Sequence, residues 1–157
     1  MLDKKKFYIN GKWIEPTKKN DFEVINPSNE ESFAVISLGS KADVDLAVKV
    51  SKEAFETWKE TTKEERIKLL ENLLSVYKKR FSEMTEAISK EMGAPMDWSS
   101  NVQNASGQAH LEDFIIRLKN FKFDEQFDSK SNNQIFYEPI GVCGLITPWN
   151  WPINQIA

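Results

Sequence analysis

Ile140-Gly141-Val142-Cys143-Gly144-Leu145-Ile146-Thr147-Pro148-Trp149-Asn150-Trp151-Pro152 is the stretch on which the fold turns. Its first half, Ile140–Ile146, is small and apolar with no polar side, the pattern of a strand buried on both faces of a parallel sheet. The two prolines then fix their own φ and push Thr147 and Trp151 toward extended geometry, so Thr147–Pro152 reads as a stiff loop. Open α/β sheets place their ligands at this position, beyond the carboxyl end of a strand. The loop carries two large aromatics and one uncharged amide, Asn150. An asparagine held rigidly can aim its NH₂ at an oxyanion without changing protonation state. It can equally be a turn residue beside packing tryptophans, and the residues alone leave both readings open.

A buried parallel strand needs neighbours and crossover helices, and the sequence offers no second run of this kind. With no internal repeat or low-complexity linker to fill the gap, the chain reads as the front part of a larger α/β protein. Upstream, Phe7–Ile9 and Lys12–Ile14 flank Asn10-Gly11, a pair suited to the positive φ angles of a type I′ hairpin turn. Phe22–Ile25 and Phe33–Ile36 form a second pair around Asn26-Pro27-Ser28-Asn29. Ser40 can cap a first helix whose apolar set is Val44, Ala47, Val48, Ala54, Phe55 and Trp58. Thr62 and Glu65 have the spacing of a capping box for a second. Its stripe runs without interruption through Ile67, Leu70, Leu74, Tyr77, Phe81, Met84 and Ile88. Gly93 suits the left-handed position after that helix, and Pro95 prevents continuation. The stripe fits a helix lying on a sheet, or a coiled-coil seam of the same period. A third helix is expected over Trp98–Leu118 with Val102, Ala105, Ala109 and Ile116 inward, although Gly107 weakens it. Phe121–Asn133 is polar and irregular, with an exposed turn at Asp128–Asn132, and Gln134–Glu138 reads as a half-exposed strand.

Composition narrows the function. The 157 residues are 40% hydrophobic and 29% charged, and the aromatic content supplies core material, so wholesale disorder is excluded. Twenty-one basic against twenty-four acidic residues, a net charge of −3, give no electrostatic invitation to nucleic acid. No apolar run approaches a membrane span or a secretory core, and one unpaired cysteine fits a reducing compartment, so a cytoplasmic location is expected.

Cys143 and His110 are single and far apart, which excludes a Cys/His zinc site and an intramolecular disulfide. There is no Gly-rich phosphate loop and no G-x-S-x-G elbow. His110 has no local nucleophile beside it and reads as an ordinary helix residue. Cys143 sits inside the apolar run with no nearby Lys, Arg or His to stabilise a thiolate, so it reads as a small buried hydrophobe rather than a nucleophile.

Gly141–Pro152 (GVCGLITPWNWP) resembles the strand and P-W-N loop of the NAD(P)-dependent aldehyde dehydrogenase superfamily. Phe7–Trp13 (FYINGKW) is similar to that family's opening hairpin, Val24–Pro27 (VINP) to its next strand and turn, and Ala54–Trp58 (AFETW) to its first helix. Glu65-Arg66 and Glu91–Pro95 (EMGAP) follow in the same order, so the resemblance covers nearly the whole chain. It departs from the pattern at Trp151, where Phe or Tyr is usual, and at Ala94, where many members have Lys.

The resemblance implies an α/β fold, the N-terminal part of an aldehyde-dehydrogenase-like architecture. Residues 1–125 would give hairpins and helices of the cofactor-binding domain, 126–139 a strand of the oligomerisation arm, and 140–157 the first central strand and P-W-N loop. It implies that Asn150 is the oxyanion-hole asparagine, and that Ile146, Thr147, Pro148 and Trp149 line the nicotinamide-ribose side of an NAD or NADP cleft. No resident metal is assigned, though some members bind a monovalent cation near the positions of Val24-Ile25 and Glu91. The implied activity is oxidation of an aldehyde to an acid through a cysteine thiohemiacetal, in a homodimer or homotetramer. The nucleophile, base and adenosine-binding residues are expected downstream, so the chain alone is expected to be inactive. The alternative is a non-catalytic binding or scaffold fragment that docks a partner on the helical stripe.

Overall fold

The computed structural model describes every residue from Met1 to Ala157. The amino-terminal strands follow local turn chemistry. Asn10 and Gly11 take φ of 53° and 72°, closing the hairpin of β2 (Phe7–Ile9) and β3 (Lys12–Ile14) with Tyr8 opposite Trp13. β4 (Asp21–Asn26) pairs antiparallel with β5 (Glu31–Ser37), with a bulge between Val24 and Ile25. The basic opening segment adds a strand that the sequence did not announce, β1 (Leu2–Lys4), parallel to β5 in the order β1-β5-β4.

α1 (Lys41–Trp58) starts at Ser40, and its third residue, Asp43, ties the helix to the loop after β3. The Asp43 carboxylate accepts from the backbone N–H and hydroxyl of Thr17 (2.8 and 2.7 Å) and from those of Ser40 (2.8 and 2.7 Å). The apolar face expected to be inward is only partly covered. Ala47 and Phe55 are half-buried, but Val44, Val48, Ala54 and Trp58 are exposed, because α1 leans on β2 and no other layer of the chain lies over it.

α2 (Lys63–Lys79) begins with the expected box, in which Thr62 N–H donates to Glu65 Oε2 (2.7 Å) and Glu65 N–H to Thr62 Oγ1 (3.2 Å). The uninterrupted helix expected through Ile88 is broken at Arg80 (φ −105°, ψ 17°), and α3 (Phe81–Met92) continues as a separate rod to Gly93 at φ 69°. No glycine or proline marks the break; what supports it is a buried side chain from the next helical rod. Asn104, wholly inaccessible, donates from Nδ2 to Phe81 O (2.7 Å) and Thr85 Oγ1 (2.8 Å). The Tyr77 hydroxyl donates to Asn104 Oδ1 and approaches Asn104 O at 3.0 Å.

That rod is not the regular third helix expected over Trp98–Leu118. A short α4 (Met96–Trp98) runs into a π-helical segment, Ser99–Asn104, and then α5 (Ala105–Asn120). The wider π turn spends an extra residue, and one residue is about 100° of helical rotation, so the inward face is displaced. Ala109 and Ile116, expected inside, are exposed, and Gly107, Leu111, Ile115 and Leu118 are buried against the α2 stripe instead.

β6 (Asp124–Gln126) and β7 (Gln134–Phe136) form an antiparallel hairpin. β6 falls in the segment expected to be irregular, because Asp-Glu-Gln carries no apolar alternation to betray a strand. The intervening turn is tied by Asp128 Oδ1, which accepts from the N–H of Lys130 and of Ser131 (2.7 Å each). Ile140–Ile146 departs most from expectation. It forms no strand and lies open, with Leu145 82% and Ile146 100% exposed, and Cys143 is exposed rather than buried. Its composition suits burial between neighbours, and no strand among these residues lies beside it to pair.

Candidate functional site

The loop beyond Ile146 divides into a free part and an anchored part. Ile146, Thr147, Pro148, Trp149 and Asn150 are all exposed, whereas Trp151, Pro152, Ile153 and Asn154 are half-buried. Between the two halves the backbone turns at Trp151 (φ −139°, ψ 67°) and enters α6 (Pro152–Ile156), with proline at the first helical position, where its missing N–H costs nothing. Gln155 N–H donates to Trp151 O (3.2 Å) and Ala157 N–H to Ile153 O (2.9 Å), closing the helix. The sequence had revealed the stiff loop but not this helix.

α6 docks on α5 and the π segment. Ile153 fills the notch left by Gly107, where an added Cβ would stand 2.7 Å from Ile153 Cγ1 and 2.8 Å from the Tyr77 hydroxyl. Beside it, His110 Nε2 and Asn154 Oδ1 are 2.6 Å apart. An amide oxygen carries no proton, so the imidazole donates from Nε2. Gly107 and His110 therefore belong to the surroundings of the candidate site, although the sequence offered only a weak spot in a helix and an unremarkable histidine. The available signal was the helical glycine, which marks a close approach without naming the partner.

Asn150 projects from this anchored base with its amide uncommitted. The flanking side-chain hydrogen bonds are those of Cys143 to Gly141 O and of His110 to Asn154. No charged residue occurs in Thr147–Pro152, so the loop can offer neutral N–H donors and apolar surface, a combination that polarises a carbonyl without transferring a proton. Trp149, 78% exposed, and Ile146 present that apolar surface directly. The open hollow of about 600 Å³ lined by Asp3, Lys4, Lys5, Lys6, Trp13 and Glu15 shares no residue with the loop, which is a wall rather than an enclosed pocket.

The positions noted for a monovalent cation adjoin in the fold: α3 packs on β4, and an added Cβ on Gly93 would stand 2.8 Å from Pro27 Cγ. Glu91 near the end of α3 is partly desolvated, which pushes its carboxyl above the usual range. No group of three or more His, Cys, Asp or Glu side chains is placed to hold a metal ion, and no helix is long and apolar enough to cross a membrane.

Comparison with known proteins gives one answer. The Aldehyde dehydrogenase family matches residues 13–157. A 3-succinoylsemialdehyde-pyridine dehydrogenase of a Pseudomonas species is 41% identical over 158 residues, covering 100% of the chain and 32% of the relative. An aldehyde dehydrogenase crystal structure from Bartonella henselae superposes with a TM-score of 0.97 at 50% identity, covering 99% of the chain and 33% of that protein. Aldehyde dehydrogenase C from Pseudomonas syringae, a mutant solved with NAD⁺ and octanal, gives 0.92 at 38% identity over 97% of the chain and 31% of its own. The chain thus spans about a third of the length of the relatives it matches.

Proposed function

The chain belongs to the aldehyde dehydrogenase family, as an N-terminal portion of that fold, and on that footing we propose that it supplies the oxyanion donor and one cofactor-facing wall of an enzyme oxidising an aldehyde to a carboxylic acid. Asn150 is the donor. When a cysteine thiolate adds to the aldehyde, the carbonyl oxygen gains negative charge, and the Asn150 N–H stabilises that charge as it develops. The observation that carries the reading is the uncommitted Asn150 amide on a loop anchored at its far side by α6. An amide engaged within the chain would have to break a bond before it could serve.

Ile146, Thr147, Pro148 and Trp149 fit the nicotinamide-ribose side of NAD(P)⁺. Their exposed surface is apolar apart from the Thr147 hydroxyl, which suits a flat uncharged-to-cationic ring and offers nothing to a pyrophosphate. The bound dinucleotide supplies the hydride acceptor. The P. syringae relative, solved with NAD⁺ and octanal, supports both the cofactor class and the aldehyde substrate. Cys143 is not assigned as the nucleophile: no Lys, Arg or His lies within six residues of it in the sequence. These residues also provide no general base for releasing the acid, and the 157-residue polypeptide by itself turns over no aldehyde.

The β6–β7 hairpin is the root of the assembly arm. Two strands are marginal on their own and leave an edge to be paired, which suits a strand arm that joins copies in a homodimer or homotetramer. The free thiol suits a reducing compartment, and we assign the protein to the cytoplasm. Asn150→Ala in the active dehydrogenase lowers kcat about 10²–10³-fold and leaves NAD affinity unchanged. An unchanged kcat, with chemistry shown to limit turnover by a deuterated aldehyde, overturns the assignment.

A further inference from the structure

We infer that Lys63 and Arg66, at the start of α2, form a shoulder that sets the direction in which the β6–β7 arm leaves the helical body, and so govern assembly without touching a second copy. The inference rests on reading β6–β7 as the assembly arm. Three residues, Phe121–Phe123, link α5 to β6. The first ends the helix, with its backbone swung to extended geometry (φ −72°, ψ 136°). The last already belongs to the hairpin, since Phe123 O accepts from the Tyr137 N–H (2.8 Å). A group that holds this link therefore aims the arm.

α2 reaches both ends of the link. Lys63 Nζ donates to Lys119 O (3.2 Å) and to Phe121 O (3.3 Å). A cation on the first residue of a helix opposes that helix's own dipole, so Lys63 is poorly placed for α2. Its charge suits the carboxyl end of α5 instead, where carbonyls lack helical partners. Arg66 holds the other end. Its Nε donates to Thr61 Oγ1 (2.8 Å) and its Nη2 to Lys59 O (3.2 Å), which pins the edge of the guanidinium to the α1–α2 loop. Its flat faces meet rings: Cζ lies 5.9 Å from the centre of the Trp58 ring and 6.0 Å from that of Phe123. Phe123 packs edge-on against Phe121 (4.9 Å), and Phe121 against Tyr137 (5.2 Å), so the held ring orients the roots of both strands. Every group of the shoulder lies between Trp58 and Tyr137. A lysine at position 66 could supply the charge but neither the pinned plane nor the flat face. An arm pairs with another copy only in the direction that presents its edge, and affinity falls with the fraction of arms so directed. In a symmetric pair both copies contribute that fraction, so a drop of about threefold in each raises the dissociation constant about tenfold.

The test is sedimentation velocity on the active dehydrogenase, which measures the dissociation constant of the assembly, with far-UV circular dichroism to show that each variant is folded. Arg66→Met and Arg66→Lys each raise that constant about tenfold. Lys63→Met does the same, and Lys63→Arg, which still donates to the carbonyls, stays within about threefold of wild type. Phe123→Leu keeps apolar bulk but removes the ring, and it matches Arg66→Met. The two together cost no more than either alone, a coupling that general loosening does not produce. If Arg66→Met does not fold, the Lys63→Met and Lys63→Arg pair decides alone. Ile135→Pro, which removes a ladder N–H from β7, is the control for the arm itself. Dissociation by Ile135→Pro with unchanged assembly in both Arg66→Met and Lys63→Met overturns the shoulder and leaves the arm standing. Losses from Arg66→Met and Phe123→Leu that add in full also overturn the shoulder. Assembly retained in Ile135→Pro overturns the reading of the arm, and the inference with it.

Discussion

Replacing Asn104 with alanine should be the most damaging single truncation of a polar side chain in this chain. The side chain is wholly inaccessible and makes three hydrogen bonds: Nδ2 to Phe81 O at 2.7 Å, Nδ2 to Thr85 Oγ1 at 2.8 Å, and Oδ1 from the Tyr77 hydroxyl. None of these partners is left orphaned when it goes. Thr85 Oγ1 still donates to Phe81 O (3.0 Å), and the Tyr77 hydroxyl still reaches the residue-104 carbonyl (3.0 Å). The loss is therefore the net value of three bonds at about 1 kcal/mol each, or about 3 kcal/mol, without the full desolvation penalty of an abandoned group. For a chain of this size that lowers Tm by about 6–12 °C. Tyr77→Phe removes fewer bonds but strands Asn104 Oδ1 in a buried site, which costs about 1–3 kcal/mol. The two changes share a bond, so the double variant loses less than the sum. Urea unfolding followed by far-UV circular dichroism, with m values compared, measures all three. A loss below about 1 kcal/mol in Asn104→Ala at unchanged m would refute the reasoning, and the α2–α3 break would then need another support.

Two further outcomes follow from geometry elsewhere. The Ser40 hydroxyl, then the Thr17 N–H and hydroxyl and the Ser40 N–H, hold the Asp43 carboxyl well below the usual carboxylate range. Its folded pKa is depressed, so its contribution is complete above the unfolded value of about 3.9 and is lost as pH falls toward the folded value. The stability gap between wild type and Asp43→Asn, from urea midpoints, should hold steady above about pH 5 and narrow below about pH 4; a gap that stays constant into stronger acid would contradict the four-donor clamp. Cys143, exposed on the open run, should react with Ellman's reagent in the folded 157-residue chain as fast as in urea. Labelling that waits for denaturant would mean the run Ile140–Ile146 is covered after all.

What could be read from the sequence was what neighbouring residues decide among themselves. Asn10-Gly11 specifies a hairpin, Thr62 and Glu65 cap a helix, and Gly93 ends one, because each effect is complete within a few residues. The break at Arg80 is invisible locally: the apolar stripe passes through it, and the group that supports it is Asn104, on another rod. The inward face of α5 was misjudged for a related reason, since a regular period cannot register a π turn. The burial of Ile140–Ile146 is a property of neighbours, and composition could state only what that run suits. The candidate site divides in the same way. Two prolines and an asparagine were enough to mark the loop, but its anchorage depends on Gly107 and His110, which are remote in sequence and become neighbours only through the packing of α5.

The π segment also governs what changes in length the chain can absorb. Deleting one residue from Ser99–Asn104 would let the segment relax into ordinary α-helix, a local gain in regularity. Everything after it would then turn by about 100°. Leu111, Ile115 and Leu118 would swing off the α2 stripe, and the notch at Gly107 would face away from Ile153. The residue count between Trp98 and Ala105 thus acts as a phase setting for the second half of the rod, and a substitution there is a milder event than the loss of a single codon.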